Sequence, residues 1–211
     1  MTDAVKQVEI EIKLKLESFT DYLKLIGYLG QIESEDHHIN AFFDSEDRQL
    51  ARAGWALRVR AENKRGVVTV KSIPTTEGAA VVRQEIEAEI QRGVAIEIIG
   101  LRADLLTGAI MPVEFIKQQF PDLRLAKLIQ FENVRQKKLF RIGGDNYLLE
   151  VDKTMYTDGS VDYELEVELA DIERVETVED HLRKLFASLA IPFEHQAESK
   201  FARALKRAKI Y

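Results

Sequence analysis

The sequence predicts an α+β fold in which an antiparallel sheet curls into a closed or nearly closed barrel with helices packed on its outside. Seven segments alternate apolar with charged residues at period two, helical periods separate them, and none is the continuous Val/Ile/Leu run of a parallel sheet covered on both faces. Along the chain, Val8 to Leu16 sets Val8, Ile10, Ile12, Leu14 and Leu16 against Glu9, Glu11, Lys13 and Lys15. Phe19, Tyr22, Leu23, Ile26 and Leu29 then recur at helical spacing behind a Ser18 or Thr20 cap. Trp55 to Ala61 places Leu57 and Val59 opposite Arg58 and Arg60, and Val67 to Lys71 places Val68 and Val70 opposite Thr69 and Lys71. Val81 to Ile90 aligns Arg83, Glu85, Glu87 and Glu89 against Val82, Ile86 and Ile90. Helices are predicted over Val94 to Leu106 and Val113 to Phe120. Three more strands follow: Phe131 to Leu139 with Arg135 and Lys137 on one side, Tyr147 to Lys153 with Glu150 and Asp152, and Asp162 to Leu169 with Glu164, Glu166 and Glu168. Val178, Leu182, Leu185, Phe186 and Leu189 mark a helix ended by Pro192, and Ser199 to Lys209 a short last one.

The 211 residues carry a net charge of −6 and 45% hydrophobic residues, enough for a folded core. No Pro/Gly/Ser-rich linker divides them, so one domain over residues 1–211 is expected. The absence of cysteine excludes disulfides, thiolate zinc sites, iron–sulfur clusters and a cysteine nucleophile. The N-terminal MTDAVKQVEIEI lacks a signal-peptide core and no apolar run is long enough to span a bilayer, so a cytoplasmic protein without a membrane partner is expected. The acidic balance argues against a nucleic-acid partner. P-loop, serine-hydrolase and zincin motifs are missing.

For a single strand, a charged face is most simply a solvated one. Here the alternate positions are ionic across seven strands, and the signs segregate: acids at Glu9/Glu11, Glu85/Glu87 and Glu166/Glu168, bases at Arg58/Arg60, Lys71, Arg83 and Arg135. If the apolar faces pack outward against helices, the ionic faces converge inside the barrel. Such an interior must stay wet, neutralise itself, or bind something that complements both signs. A metal-complexed polyphosphate meets that description: carboxylates take Mg²⁺ or a similar hard cation, Arg and Lys take phosphate oxygens.

These residues resemble the CYTH or triphosphate tunnel metalloenzyme superfamily, which includes inorganic triphosphatases, thiamine triphosphatases, class IV adenylate cyclases and fungal RNA triphosphatases. Glu9, Glu11 and Lys13 match its ExExK strand; Phe42, Phe43 and Asp44 its YFDT segment; Leu57 to Arg60 its LRxR strand; Thr69 to Lys71 its TxK strand; Arg83 to Glu87 its RxExE strand. Arg135 in FENVR, Asp152 in LEVD, Glu166 and Glu168 in YELEVE and Lys200 in SKF follow in order, so the likeness covers about residues 8 to 205. The resemblance implies an eight-stranded antiparallel barrel enclosing a tunnel, which assigns the eighth strand to Ile39–Asp44. It further implies that Lys13, Arg58, Arg60, Lys71, Arg83, Arg135 and Lys200 hold phosphate oxygens. Glu9, Glu11, Asp152, Glu166 and Glu168 would organise Mg²⁺ or Mn²⁺, with Glu85 and Glu87 as further acidic candidates. Glu9, Glu11, Lys13, Arg58, Arg60, Glu166 and Glu168 are the residues expected to carry catalysis.

The remaining candidates have plainer readings. Glu89, Glu150 and Glu164 are expected at the tunnel mouths or paired with bases. His37, His38, His181 and His195 lack ligand-spaced partners and are expected to be structural or exposed. Trp55 is expected in the core or at the barrel rim. The expected activity is metal-dependent hydrolysis of a linear triphosphate, foremost inorganic tripolyphosphate, by a monomer or homodimer. Thiamine triphosphatase, adenylate cyclase and a non-catalytic polyphosphate-binding module are the alternatives.

Overall fold

The computed structural model describes residues 5–210. Its strands are β1 (Val5–Leu16), β2 (Ser34–Asp44), β3 (Trp55–Ala61), β4 (Arg65–Ser72), β5 (Thr75–Glu77), β6 (Ala80–Gln91), β7 (Ala126–Ile142), β8 (Asp145–Tyr156) and β9 (Val161–Glu168). Eight of them pair in the order β1-β9-β8-β7-β2-β3-β4-β6, and β6 pairs back onto β1, so the antiparallel sheet closes as a barrel without a free edge. The short β5 was not anticipated; it pairs with residues 80–82 of β6 on the edge opposite β1, beyond the stretch paired with β4. β2 begins at Ser34, before the expected Ile39, which brings His38 into the barrel wall.

The helices are α1 (Phe19–Leu29), α2 (Gln49–Arg52), α3 (Arg92–Ile99), α4 (Met111–Gln119), α5 (Val175–Ser188) and α6 (Lys200–Arg207). Ser18 caps α1, its Oγ accepting from the Asp21 N–H at 3.1 Å. The helix expected over Val94 to Leu106 is shorter: α3 stops before Gly100, Leu101 takes a positive φ of 59°, and Asp104 caps a separate turn at Leu105–Thr107. Asp44 has a structural task, its carboxylate accepting from the N–H groups of Ser45, Leu50 and Ala51 at 2.8, 2.8 and 3.1 Å and so fixing the first turn of α2.

The outward faces of the strands form the core, as the alternation predicts. Ile12, Leu14, Leu149, Leu165 and Val167 pack beneath α1 and α5, while Leu57, Val59, Val68, Val70 and Ile86 pack beneath α3 and α4. β4 and α3 approach so closely that a Cβ at Gly66 would lie 2.5 Å from the Ala95 Cβ, a contact that only glycine avoids. Gly143 and Gly144, both at positive φ, form the two-residue turn between β7 and β8. In contrast, α6 packs Phe201, Ala204 and Leu205 against Phe42 and Phe131, whose neighbours on the same strand faces line the interior. No helix of the described residues is long and apolar enough to cross a membrane.

Candidate active site

Inside the barrel lies a cavity of about 420 Å³. Its wall includes every site residue predicted from the sequence except Asp152. The convergence follows from register: Glu9 on β1 pairs across to Arg83 on β6, Lys71 on β4 to Glu85 on β6, Lys13 on β1 to Glu166 on β9, and Arg135 on β7 to Asp152 on β8. Strictly alternating strands in these registers can only stack their ionic residues on one side of the sheet.

On one wall, Arg83 binds Glu9 through Nε and reaches Glu11 at 3.1 Å through Nη2. Lys71 lies 3.5 Å from Glu9 and forms a closer pair with Glu85. Burial opposes the charge on Glu9, but Lys71 and Arg83 outweigh it and hold the carboxyl well below the usual range. Burial, with Arg83 and Arg58 as neighbours, brings Lys71 down to about 8 against the pull of Glu9. Glu87 accepts from Thr69 Oγ1 at 3.0 Å, and Thr69 in turn accepts from Arg58 Nη2 at 3.1 Å. Burial and the adjacent Arg60 lower Arg58 to about 10. Arg60 is paired with Glu62 at 2.6 Å, yet the Nε groups of both Arg58 and Arg60 are buried with no protein partner.

The opposite wall is a dense ion-pair network. Lys13 Nζ lies 2.8 Å from Glu166 and 2.9 Å from Glu11. Arg135 grips Asp152 with two bonds of 2.8 and 2.6 Å and also contacts Glu150 and Glu166. Lys200, delivered by the first turn of α6, sits 2.7 Å from Asp152 and 3.0 Å from Glu166 and pairs with Glu164. Burial resists all this charge, but these cations hold Asp152 down to about 2 and Glu166 well below the carboxylate range.

The acids divide by their partners. Carboxylate oxygens of Asp152, Glu164 and Glu166 come within 4.8 Å of one another, as metal ligands do, but the Lys200 ammonium reaches all three. Asp152, with no exposed surface, is thus a partner of Arg135 and Lys200 beneath the wall rather than a group on it. Glu11 and Glu168 are different. They face each other across the β1–β9 ladder, and burial pushes Glu11 up to about 7, Lys13 opposing and Glu166 and Glu9 adding to the rise. Glu168 is raised by burial and by Glu150, Glu9 and Glu85. Glu168, at the exposed end of β9, has no ion-pair partner among the described residues, whereas Glu11 keeps Lys13 and Arg83 and Glu9 keeps Arg83 and Lys71. The three carboxylates offer hard oxygen donors of the kind a divalent cation takes. Glu85 and Glu87 are already engaged by Lys71 and by Thr69 and Arg58.

Sequence reasoning set aside several residues that the fold brings inside. Glu150 lines the cavity and Glu164 anchors both Lys200 and Arg203, while Glu89 remains exposed and pairs with Arg65. His38, Asn40 and Asn133 also face the interior; the signal for the first two was the period-two run His38-Asn40-Phe42, and for Asn133 its place between Phe131 and Arg135. His37 is exposed on the outer face. Trp55 is at the rim, edge-on to Phe115, next to Ile73 and Pro74 on the cavity wall. Beside them, Phe201 of α6 stacks on Phe42 with ring centroids 4.1 Å apart, giving the cavity an apolar side.

A family profile for the CYTH domain matches residues 7–204. Among solved structures, the chain is similar to HpAC1 from Hippeastrum, an adenylyl cyclase candidate with a dominant triphosphatase activity. The TM-score is 0.82 at 27% identity, covering 95% of this chain and 96% of that one. An adenylate cyclase candidate from Bacillus halodurans gives a TM-score of 0.70 at 21% identity over 94% and 97% of the two chains. The PH1819 protein of Pyrococcus horikoshii OT3 gives 0.62 at 16% over 93% and 99%. The last two share the fold. No curated protein matches the chain.

Proposed function

The chain belongs to the family of CYTH-domain proteins, and from that membership we propose that it is a divalent-metal-dependent triphosphatase acting on linear triphosphates, inorganic tripolyphosphate foremost. The observation that carries the reading is that Arg58 and Arg60, two residues apart on one face of β3, both line the cavity and both keep a buried Nε that no protein group accepts from. A buried N–H without an acceptor is costly, and a phosphate oxygen is the acceptor that a guanidinium fork fits best. The dominant triphosphatase activity of HpAC1 supports the same chemistry.

In this reading Arg58, Arg60 and Lys71 hold non-bridging oxygens and gather positive charge where the departing pyrophosphate develops negative charge. Lys13, Arg83, Arg135 and Lys200 fix the acidic side chains through their ion pairs and complete the cationic surroundings of the anion. Glu9, Glu11 and Glu168 would hold Mg²⁺ or Mn²⁺, with Glu166, Glu85, Glu87 and Asp152 behind them. Bound there, the cation supplies Lewis-acid charge at the phosphoryl oxygens and a more acidic water. Water adds to a terminal phosphorus, the P–O bond to the next phosphate breaks, and the products are phosphate and pyrophosphate.

The apolar side formed by Phe42, Phe131, Phe201 and Trp55 favours a second reading, an organic triphosphate such as thiamine triphosphate or a nucleoside triphosphate whose organic part lies there. A substrate panel with Mg²⁺ and with Mn²⁺ tests both. Tripolyphosphate should yield phosphate and pyrophosphate; faster turnover of an organic triphosphate selects the second reading, and cyclic AMP from ATP an adenylate cyclase. Tight triphosphate binding without turnover marks a binding module.

A further inference from the structure

His38 and Asn40 occupy successive inward positions of β2 and line the cavity, each 4% exposed. Among the described residues, neither the His38 ring nor the Asn40 carboxamide hydrogen-bonds a protein group. Their neighbour Asn133, directly across from His38 on β7, is fully committed: its Nδ2 donates to Asp152 at 3.0 Å and its Oδ1 accepts from Thr154 at 2.9 Å. Asn40 stands across from Arg60 on β3, whose Nε is also unpartnered. His38 and Asn40 are largely buried and line the cavity, so polar side chains there without a protein partner are open to hydrogen-bond whatever the cavity holds.

We infer that His38 and Asn40 are positioning residues that hold the anion through uncharged hydrogen bonds between Arg60 and Arg135. The inference rests on the triphosphatase reading and names contacts beyond its charged ones. Burial first, then Arg60 and Arg135, keeps the His38 ring neutral, with its ordinary pKa lowered to about 3. A neutral imidazole retains one N–H donor, and the Asn40 amide offers two. Both can bind phosphate oxygens without adding a further cation to a wall that already carries two guanidinium groups. Side chains at i and i+2 lie about 6–7 Å apart along a strand, so the pair follows an extended anion rather than gripping one point.

The test uses the full-length protein with tripolyphosphate as the probe. Calorimetric titration in EDTA gives the Kd, and steady-state kinetics with Mg²⁺ give KM and kcat separately. His38→Ala and Asn40→Ala are each expected to weaken tripolyphosphate binding about tenfold, as loss of a hydrogen bond to a charged group does, with KM rising in step and kcat nearly kept. His38→Gln, which restores a neutral donor, is expected to recover most of the affinity. Wild-type affinity in both alanine variants overturns the inference while leaving the triphosphatase reading intact. If wild-type protein neither binds nor hydrolyses triphosphate, both readings are overturned. Should His38→Ala fail to fold, as judged by its thermal transition, Asn40→Ala and Asn40→Ser decide the question, and unchanged binding in both refutes it.

Discussion

Glu11 and Glu168 stand directly opposite each other across the β1–β9 ladder, two carboxylates on the cavity wall. Like charges in that position destabilise a sheet unless a cation lies between them. Both are raised, Glu11 to about 7, chiefly by burial, and Glu168 upward by burial and three neighbouring acids. If they hold a divalent cation, adding Mg²⁺ or Mn²⁺ at about 100 times its Kd stabilises the fold by about 2.7 kcal/mol, and Glu168→Gln abolishes that rise. The same variant is expected to be at least as stable as wild type without metal, because a repulsion is removed. Thermal melts with and without metal check both; an undiminished metal-induced rise in Glu168→Gln would remove Glu168 from the site.

Lys200 reaches Asp152, Glu164 and Glu166 from the first turn of α6, and Arg203 one turn later holds Glu164 at 2.5 Å. Removing one partner from a buried ion-pair group strands the others. Lys200→Ala is therefore expected to cost about 3–5 kcal/mol in denaturant unfolding. A loss below about 1 kcal/mol would mean that the network does not anchor α6 to the barrel.

Acid should act on this fold in two windows. His38 is held neutral down to about pH 3, while the unfolded chain takes up its proton near the ordinary value of 6.5. The His38 contribution is accordingly lost as pH falls from 6.5 towards 3, while Glu11, raised to about 7, contributes in the opposite direction between 7 and 4.5; His38→Gln should remove the His38 part of the slope. Asp152 is lowered from 3.8 to about 2, so its contribution is present above pH 3.8 and disappears as pH falls to 2. Asp152→Asn should flatten the lower window and reduce stability at neutral pH, where Arg135 and Lys200 lose their partner. Urea unfolding at intervals from pH 7 to 2 measures both slopes, and an imidazole NMR signal of His38 that titrated near pH 6 would contradict the first.

Much of this was legible in the sequence because the information is local. Val8 to Leu16 states in nine residues which face is apolar and which ionic, and the barrel keeps that division. What could not be read is register between distant segments. Nothing near Lys200 announces that its ammonium would sit among Asp152, Glu164 and Glu166, or that Asp152 would drop behind the wall while Glu150 came onto it. His38 reads as structural or exposed because the polar start of β2 lacks the apolar alternation that marks a strand, although the pairing of His37 with Val134 and of His38 with Asn133 on β7 extends the ladder there. The early end of α3 depends on Gly100 and the Asp104 cap, short-range signals that the apolar spacing through Leu106 masked.

The central claim is that the cavity holds a triphosphate on Arg58 and Arg60 and cleaves it with a divalent cation. Measuring phosphate and pyrophosphate from tripolyphosphate with Mg²⁺ or Mn²⁺, in wild type and in Arg58→Ala and Arg60→Ala, tests it most directly. The account predicts equal release of the two products by wild type, abolished by EDTA and reduced at least about tenfold in each variant. No product from tripolyphosphate, thiamine triphosphate or ATP under either metal, or wild-type turnover in both arginine variants, would contradict it.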